Sequence, residues 1–359
     1  MTSDVPRIGV FYEHQEWFRP LFRELDRREL RWDRIDARSH GFDPSAAGAP
    51  WDLVLNRMSP SAHLRGHGRA VSYTLAWLEH LERSGVRVVN GTEAFRTEVS
   101  KARQIMLMEE LGLLHPATRV VDAPGAAVEA AGDLRLPVVV KANRGGSGAG
   151  IRRFDSLDEL REAADDGELE AGPDGTALVQ EFVPARGGHI TRVEVLGGTF
   201  LYAIDVHLSG ETFDLCPADI CRTTSGEELQ PDTDAEDGGL SVEAARPPDR
   251  LVEAVEALAA AAGIEVGGVE YLVDDRDGTP RFYDVNALSN FVAEPERVLG
   301  FDPFVRLVDW LEARAVEAAG AEGAASPAET EGRWGAGDGP ATDGADATGE
   351  RATGREEVR

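Results

Sequence analysis

Of the 37 lysines and arginines in the chain, only two are lysines, Lys101 and Lys141. Arginine fills every other such position, so the two exceptions mark places suited to a compact ammonium on a flexible stem rather than a planar fork. Lys141 closes the run Leu136-Pro-Val-Val-Val-Lys, which has the apolar, β-branched character of a buried strand. Shortly after comes Gly145-Gly-Ser-Gly-Ala-Gly150. Glycine has no Cβ, so such a loop can pass close to a ligand and turn its N–H groups toward an anion. A strand-end cation beside it suits a nucleotide phosphate. Taken alone, the glycine run is equally compatible with a flexible hairpin.

A second signal lies between Gly268 and Asn290. Two alternating runs flank Asp275-Arg-Asp-Gly278, which reads as a hairpin turn. A turn centred on Asp277 places Glu270 opposite Asp284, with Asn286 two residues further along the same face. Two carboxylates and an amide converging there offer oxygen ligands to Mg²⁺ or Mn²⁺. The same pattern also fits an ordinary polar sheet face, and a one-residue slip would turn Glu270 away.

The third concentration of charge is Asn56 to His67, with Arg57, His63, Arg65 and His67. It either holds an anionic substrate or lies as a solvated surface loop. No Gly-x-x-x-x-Gly-Lys-Ser/Thr loop occurs, and Gly145 to Gly150 does not meet the Gly-x-Gly-x-x-Gly pattern. No Ser/His/Asp or Cys/His arrangement stands out. Cys216 and Cys221, the only cysteines, have no second pair, which excludes a disulfide framework, and with His207 they would leave a zinc ion one ligand short.

The elements that must position these groups follow from periodicity. Residues 7–13, 31–37, 51–58 and 86–90 read as strands, with helices at 17–30 and 69–83. That alternation predicts a small parallel sheet covered by helices, whose ligands gather at the carboxyl ends of its strands. The 56–67 segment follows the third strand at that end. A helix over 92–112 carries Lys101, a short strand spans 117–121, and a helical turn lies near 128–131. Ser156 and Glu159 form a capping box opening a helix to Ala164. Ala177 to Val183 is another strand, stopped by Pro184, and 190–206 reads as a hairpin around Gly197-Gly198. The acidic, aperiodic stretch 223–248 predicts a long surface loop. Helices follow at 251–262 and 302–318.

A net charge of −28 argues against a nucleic-acid-binding surface, and 42% hydrophobic residues is the content of a soluble globular chain. The N-terminus lacks an apolar signal core and no run approaches a membrane span, so the expectation is a cytoplasmic protein without a membrane partner. From Ala319 the chain is rich in Ala, Gly, Glu, Asp and Thr without periodicity, which predicts a disordered acidic tail over 319–359.

Together these pieces resemble the ATP-grasp superfamily, most closely its RimK-like, glutathione synthetase-type carboxylate–amine ligases. The likeness is carried by Lys101, Lys141 with Arg144-Gly-Gly-Ser-Gly-Ala-Gly150, Gln180-Glu-Phe-Val183, Arg192, Glu270 and Asp284-Val-Asn286, from about residue 86 to residue 315. It implies an α/β N-terminal domain with a small parallel sheet over 1–95. An α+β ATP-grasp domain over 96–318 follows, with subdomains of about 96–183 and 184–318. By the same resemblance Lys101 and Lys141 contact ATP, and Gly145, Gly146, Ser147, Gly148 and Gly150 close over its phosphates. Glu181, Phe182 and Val183 form the adenine-side hinge, Arg192 meets the transferred phosphoryl group or the substrate carboxylate, and Glu270, Asp284 and Asn286 hold Mg²⁺. The implied reaction joins a small-molecule or peptide carboxylate to an amine through an acyl phosphate, releasing ADP; a homo-oligomer is compatible with it. An ATP-grasp kinase acting on a hydroxyl and a non-catalytic nucleotide-binding protein are the alternatives. Three departures bear on this. Asp284 stands where the family usually has glutamate, Glu270 where it more often has aspartate, and Ala287-Leu-Ser-Asn-Phe replaces a Pro-Gly turn that faces the acceptor in relatives.

Overall fold

The computed structural model describes residues 5–46, 48–145, 150–207 and 241–324, with side chains as far as residue 321. Cys216, Cys221, Gly146, Ser147, Gly148, most of the 223–248 stretch and everything from residue 325 lie outside the described residues.

The first sheet contains β1 (Ile8–Tyr12), β2 (Trp32–Asp36), β3 (Leu53–Arg57) and β4 (Arg87–Val89), in the order β2-β1-β3-β4. All its pairings are parallel, as the strand–helix alternation predicts. Every residue of β1 and β3 is buried, because alternate side chains enter different cores. Ile8, Val10, Leu53 and Leu55 pack on one face, Phe11 and Val54 on the other. A run apolar on both faces is what a parallel strand covered on both sides requires. Helices α1 (Arg19–Arg27) and α2 (Gly68–Arg83) accompany this sheet. The expected helix over 17–30 is shorter: Gln15–Phe18 forms a 3₁₀ turn, and Pro20 sits in the first turn of α1, where its missing N–H costs nothing.

The predicted single helix over 92–112 is two helices, α3 (Thr92–Glu98) and α4 (Lys101–Glu110). Ser100 is extended between them and caps α4, its Oγ accepting from Arg103 N at 3.3 Å. Lys101 therefore opens a helix rather than lying along one.

The second sheet contains β5 (Thr118–Val121), β6 (Val138–Ala142), β7 (Arg152–Phe154) and β8 (Ala177–Glu181), antiparallel in the order β5-β8-β6-β7. Helices α5 (Ala127–Ala131) and α6 (Leu157–Asp165) cover it. The Ser156 cap of α6 is present: its Oγ accepts from Glu159 N at 3.2 Å, while Glu159 Oε2 accepts from Asp155 N at 3.0 Å.

The third sheet is antiparallel in the order β11-β10-β9-β12-β13. Its strands are β9 (His189–Leu196), β10 (Thr199–His207), β11 (Ser241–Ala245), β12 (Val266–Val273) and β13 (Pro280–Asn286). Gly197 and Gly198, at φ 64° and 75°, supply the left-handed turn of the β9–β10 hairpin. The 223–248 stretch is not all loop, since β11 occupies 241–245. Helix α7 (Asp249–Ala262) ends at Gly263 (φ 69°), and α8 (Pro295–Leu299) precedes α9 (Pro303–Ala324). The helix at the C-terminal end runs six residues beyond the expected boundary at 318, so 319–324 do not belong to a disordered tail. Alanine-rich sequence propagates a helix once packing has nucleated it.

Two interlocks tie the first sheet to the third. Phe304, Leu307, Val308 and Leu311 of α9 share a core with Ile8 and Leu53. Asn90, fully buried at φ 53°, donates to Val266 O and Ala287 O at 2.6 and 2.7 Å and accepts from the backbone N–H groups of Glu265 and Val266.

Candidate active site

The candidate site is built on three neighbouring strands. Arg192 on β9 lies opposite Glu270 on β12, which lies opposite Asp284 on β13. Directly opposed residues share a face, so one cross-strand row holds a guanidinium and two carboxylates. The expected Glu270–Asp284 register is present, though not by the simple turn assumed. Beyond Glu270 the pairing shifts, with Tyr271 opposite Phe282 and Val273 opposite Pro280. Tyr283 is the extra residue of a β-bulge. Its hydroxyl donates to Glu270 Oε2 at 2.8 Å, so the bulge also serves the row.

Arg192 Nη1 donates to Glu270 Oε1 at 2.8 Å, and its Nε to Glu194 Oε1 at 2.6 Å. Lys101 Nζ donates to Asp284 Oδ1, and Asn286 Nδ2 to Asp284 Oδ2 at 3.1 Å. Burial pushes the Glu270 carboxyl up; Arg192 opposes this and Asp284 adds to it. Burial pushes Asp284 up as well, but the charge and hydrogen bond of Lys101 outweigh it and hold the group below its usual value. Burial lowers Arg192, and Glu194 and Glu270 more than restore it. Glu270, Asp284 and Asn286 thus supply an all-oxygen donor set on adjacent strands, with like-charge crowding that a divalent cation relieves. That set fits Mg²⁺.

Glu194 and Asn286 belong to the next row, on either side of Gly268. A Cβ at Gly268 would stand 2.8 Å from Glu194 Oε1 and 3.0 Å from Arg192 Nε. The bare backbone is what lets the Arg192–Glu194 pair lie flat across β12. Gly268→Ala should cost about 1–3 kcal/mol by overpacking and swing Arg192 off Glu270. Thermal melting and turnover measured together check this: unchanged values in both would mean that the row has slack.

Lys141 projects from β6 of the second sheet and is buried, its Nζ donating to Gln180 Oε1 at 2.9 Å. Burial, and then the charge of Lys101, push it down to about 7, with Asp284 and Glu270 opposing. Asp284 and Glu270 also act on Lys101, so both lysines share one electrostatic environment. Asn143 connects them mechanically. Its Oδ1 accepts from Ala102 N at 2.9 Å and Ser100 Oγ at 3.2 Å, and its carbonyl accepts from Lys101 N at 3.1 Å. Gln104 on the same helix brackets Val285, donating to its carbonyl at 2.8 Å and accepting from its N–H at 3.2 Å. Glu98 accepts from Ala287 N. The helix opened by Lys101 is thereby clamped to the strand carrying Asp284 and Asn286.

The remaining candidates divide. Glu181 ends β8 and its Oε1 accepts from Arg135 N at 2.9 Å, so the side chain is a backbone clasp. Phe182 N donates to Pro137 O at 2.9 Å, with the Arg153 guanidinium 4.5 Å over its ring, and Val183 is buried. Gly150 has φ 70°, and a Cβ there would meet Glu170 Oε2 at 2.7 Å. Gly145 is described as plain chain after β6.

The 56–67 segment is not a solvated loop. Pro60–Arg65 forms a 3₁₀ turn with Ser59 as its cap. Arg57 is 1% exposed and donates to Ser289 O through Nη2. Arg65 and His67 both bind the buried Glu13, Arg65 Nη2 at 2.5 Å from Glu13 Oε2, and His63 Nδ1 is 3.0 Å from Pro60 O. Sequence reasoning missed Asn143, Gln104, Glu98 and Glu194. For Glu194 a signal existed, since it lies two residues from Arg192 on the same strand and faces a glycine.

No family model matches the sequence. The D-alanine–D-alanine ligase of Nitrosospira multiformis is 28% identical over 187 residues, covering 52% of this chain and 57% of that protein. The chain thus spans little more than half the length of that relative. Among solved structures, the ATP-grasp ligase PsnB, complexed with minimal precursor, Mg and ADP, superposes with a TM-score of 0.59 at 17% identity, over 88% of this chain and 99% of that one. A RimK domain ATP-grasp protein from Sphaerobacter thermophilus gives 0.58 at 18%, over 85% and 98%. The fold of the chain is thus similar to that of ATP-grasp ligases of known structure.

Proposed function

We propose that this protein is an ATP- and Mg²⁺-dependent ligase of the RimK-like kind, joining a carboxylate to an amine through an acyl phosphate and releasing ADP and phosphate. The observation that carries the reading is the row Arg192–Glu270–Asp284, with Lys101 bonded to its end and Lys141 beside Lys101. Cations and oxygen ligands so arranged suit phosphoryl transfer, where catalysis is mostly positioning and charge neutralisation.

In this reading Lys101 and Lys141 hold phosphate oxygens, with Gly145 to Gly150 covering them. The backbone of Glu181 to Val183 faces the adenine. Glu270, Asp284 and Asn286 hold Mg²⁺, which neutralises charge on the phosphates when bound. Arg192, oriented by Glu194, neutralises charge at the transferred phosphoryl group or the carboxylate that receives it. The first sheet is proposed as a domain of about residues 1–95, set against a two-part domain from 96 to 318. Support comes from the D-alanine–D-alanine ligase and from PsnB, whose complex holds a precursor, Mg and ADP. The substrates proposed are accordingly a small-molecule or peptide acid and an amine.

Hydroxylamine tests the reaction class. With a substrate acid, ATP and Mg²⁺, it should intercept the acyl phosphate and give a hydroxamate together with ADP. A stable phosphate ester formed in step with ADP, and no hydroxamate, would assign the protein to hydroxyl phosphorylation instead.

A further inference from the structure

Arg57 is a fully buried arginine with most of its hydrogen-bonding capacity unused. Its Nη2 donates to Ser289 O, but its buried Nε and Nη1 have no partner. Glu194, 1% exposed, shows the opposite deficit: Oε1 accepts from Arg192 Nε at 2.6 Å and Ser289 Oγ at 2.7 Å, while the buried Oε2 has none. Ser289 touches both residues, with its carbonyl on the arginine and its hydroxyl on the glutamate. Yet among the described residues no ion pair joins Arg57 to Glu194, although the charge of Glu194 acts on Arg57 against the effect of burial. Burying an ion while leaving its donors or acceptors unmet is costly. Here a cation short of an acceptor and an anion short of a donor stand one residue apart, next to Arg192.

We propose that Arg57 and Glu194, bridged by Ser289, form the subsite for an α-amino acid, with the substrate carboxylate on Arg57 and its amino group on Glu194 Oε2. The assignment rests on the ligase reading and gives the amino-acid substrate of that reading its own residues. A group carrying both charges on neighbouring atoms meets both deficits at once, which neither a simple acid nor a simple amine does. The place is apt, because Glu194 also holds Arg192, so an amino group there lies beside the residue assigned to the phosphoryl end. Ser289 falls in the Ala287-Leu-Ser-Asn-Phe segment that departs from the family's Pro-Gly turn.

The test needs only the wild-type chain. Calorimetry with ADP and Mg²⁺ present is run against L- and D-amino acids, their carboxamides and their N-acetyl derivatives, up to about 10 mM, an order of magnitude above the usual ceiling for KM. At least one free amino acid should bind. Amidation and acetylation, each of which removes one charge-assisted contact, should each weaken it on the order of 10- to 100-fold. Glu194→Gln should weaken the free amino acid and narrow the gap to its N-acetyl form, and Arg57→Lys should do the same for the carboxamide. If a derivative binds as well as its parent, or no amino acid binds while ADP does, the subsite is wrong and the ligase reading stands. Failure of ADP itself to bind would remove the nucleotide reading beneath both.

Discussion

Lys141→Met should weaken ATP binding about 10- to 100-fold, one charge-assisted contact at a crowded phosphate site, and should raise the melting temperature of the unliganded protein. Both effects come from the same buried ammonium. Burial, and then Lys101, hold Lys141 down at about 7, against 10.5 for a free lysine, while Asp284 and Glu270 pull the other way. Between those two values the unfolded chain binds more protons than the folded one, so this group's contribution to stability improves as pH rises through the window. Its penalty is complete below about 7 and gone near 10.5. The thermal advantage of the methionine variant should therefore be largest at neutral and acidic pH and shrink toward alkaline pH, offset throughout by about 1 kcal/mol for the lost bond to Gln180. Binding a phosphate anion restores the lysine's proton. Wild-type protein at about pH 8 should thus take up protons on binding ATP, and calorimetry in buffers of different ionisation enthalpy should show the uptake vanish in the variant. Unchanged ATP affinity in the folded variant would take Lys141 out of the site. A lower melting temperature at neutral pH would show that the ammonium is not held at a penalty.

What the sequence made legible was local. The glycine punctuation, the Ser156 cap and the apolar runs of β1, β3 and β6 announce themselves because short-range physics decides them. The Glu270–Asp284 pairing was reached from turn symmetry, and the structure arrives at it through a bulge at Tyr283 that compensates a differently placed turn. What stayed hidden depends on partners far along the chain. The break before Lys101 is fixed by Asn143, which caps α4 from the other side of the site. Arg57 stayed open between substrate binding and surface charge because nothing nearby in sequence shows that Ser289 and Phe18 enclose it. Arg65 and His67 stayed open in the same way because their partner, Glu13, lies on a different strand end. Glu194 needed the knowledge that β12 runs beside β9 with a glycine opposite. The end of α9 was misplaced for a compositional reason: alanine and glutamate suit a helix as well as a disordered tail.

Asp284→Asn should lower turnover at least about 100-fold, the scale on which removal of a charge stabilising the transition state is felt, and the remaining activity should need more Mg²⁺. The substitution keeps the size and the hydrogen-bonding reach of the side chain. It removes one of the two anions that face each other across β12 and β13, and it leaves Lys101 without its counter-ion. Two consequences of that loss can be separated. A metal role shifts the Mg²⁺ titration; a purely structural role lowers the melting temperature and leaves the titration midpoint where it was. Asp284→Glu is the control, since it preserves the charge and restores the residue usual at this position in the ligases this chain resembles. It should keep most of the activity and a wild-type Mg²⁺ midpoint, and the longer side chain can still reach Lys101. Wild-type turnover for Asp284→Asn across the Mg²⁺ titration would exclude Asp284 as a ligand. Loss of activity in Asp284→Glu equal to that in Asp284→Asn would mean that the position demands the shorter reach, and that the row from Arg192 to Asp284 is built to a spacing of its own.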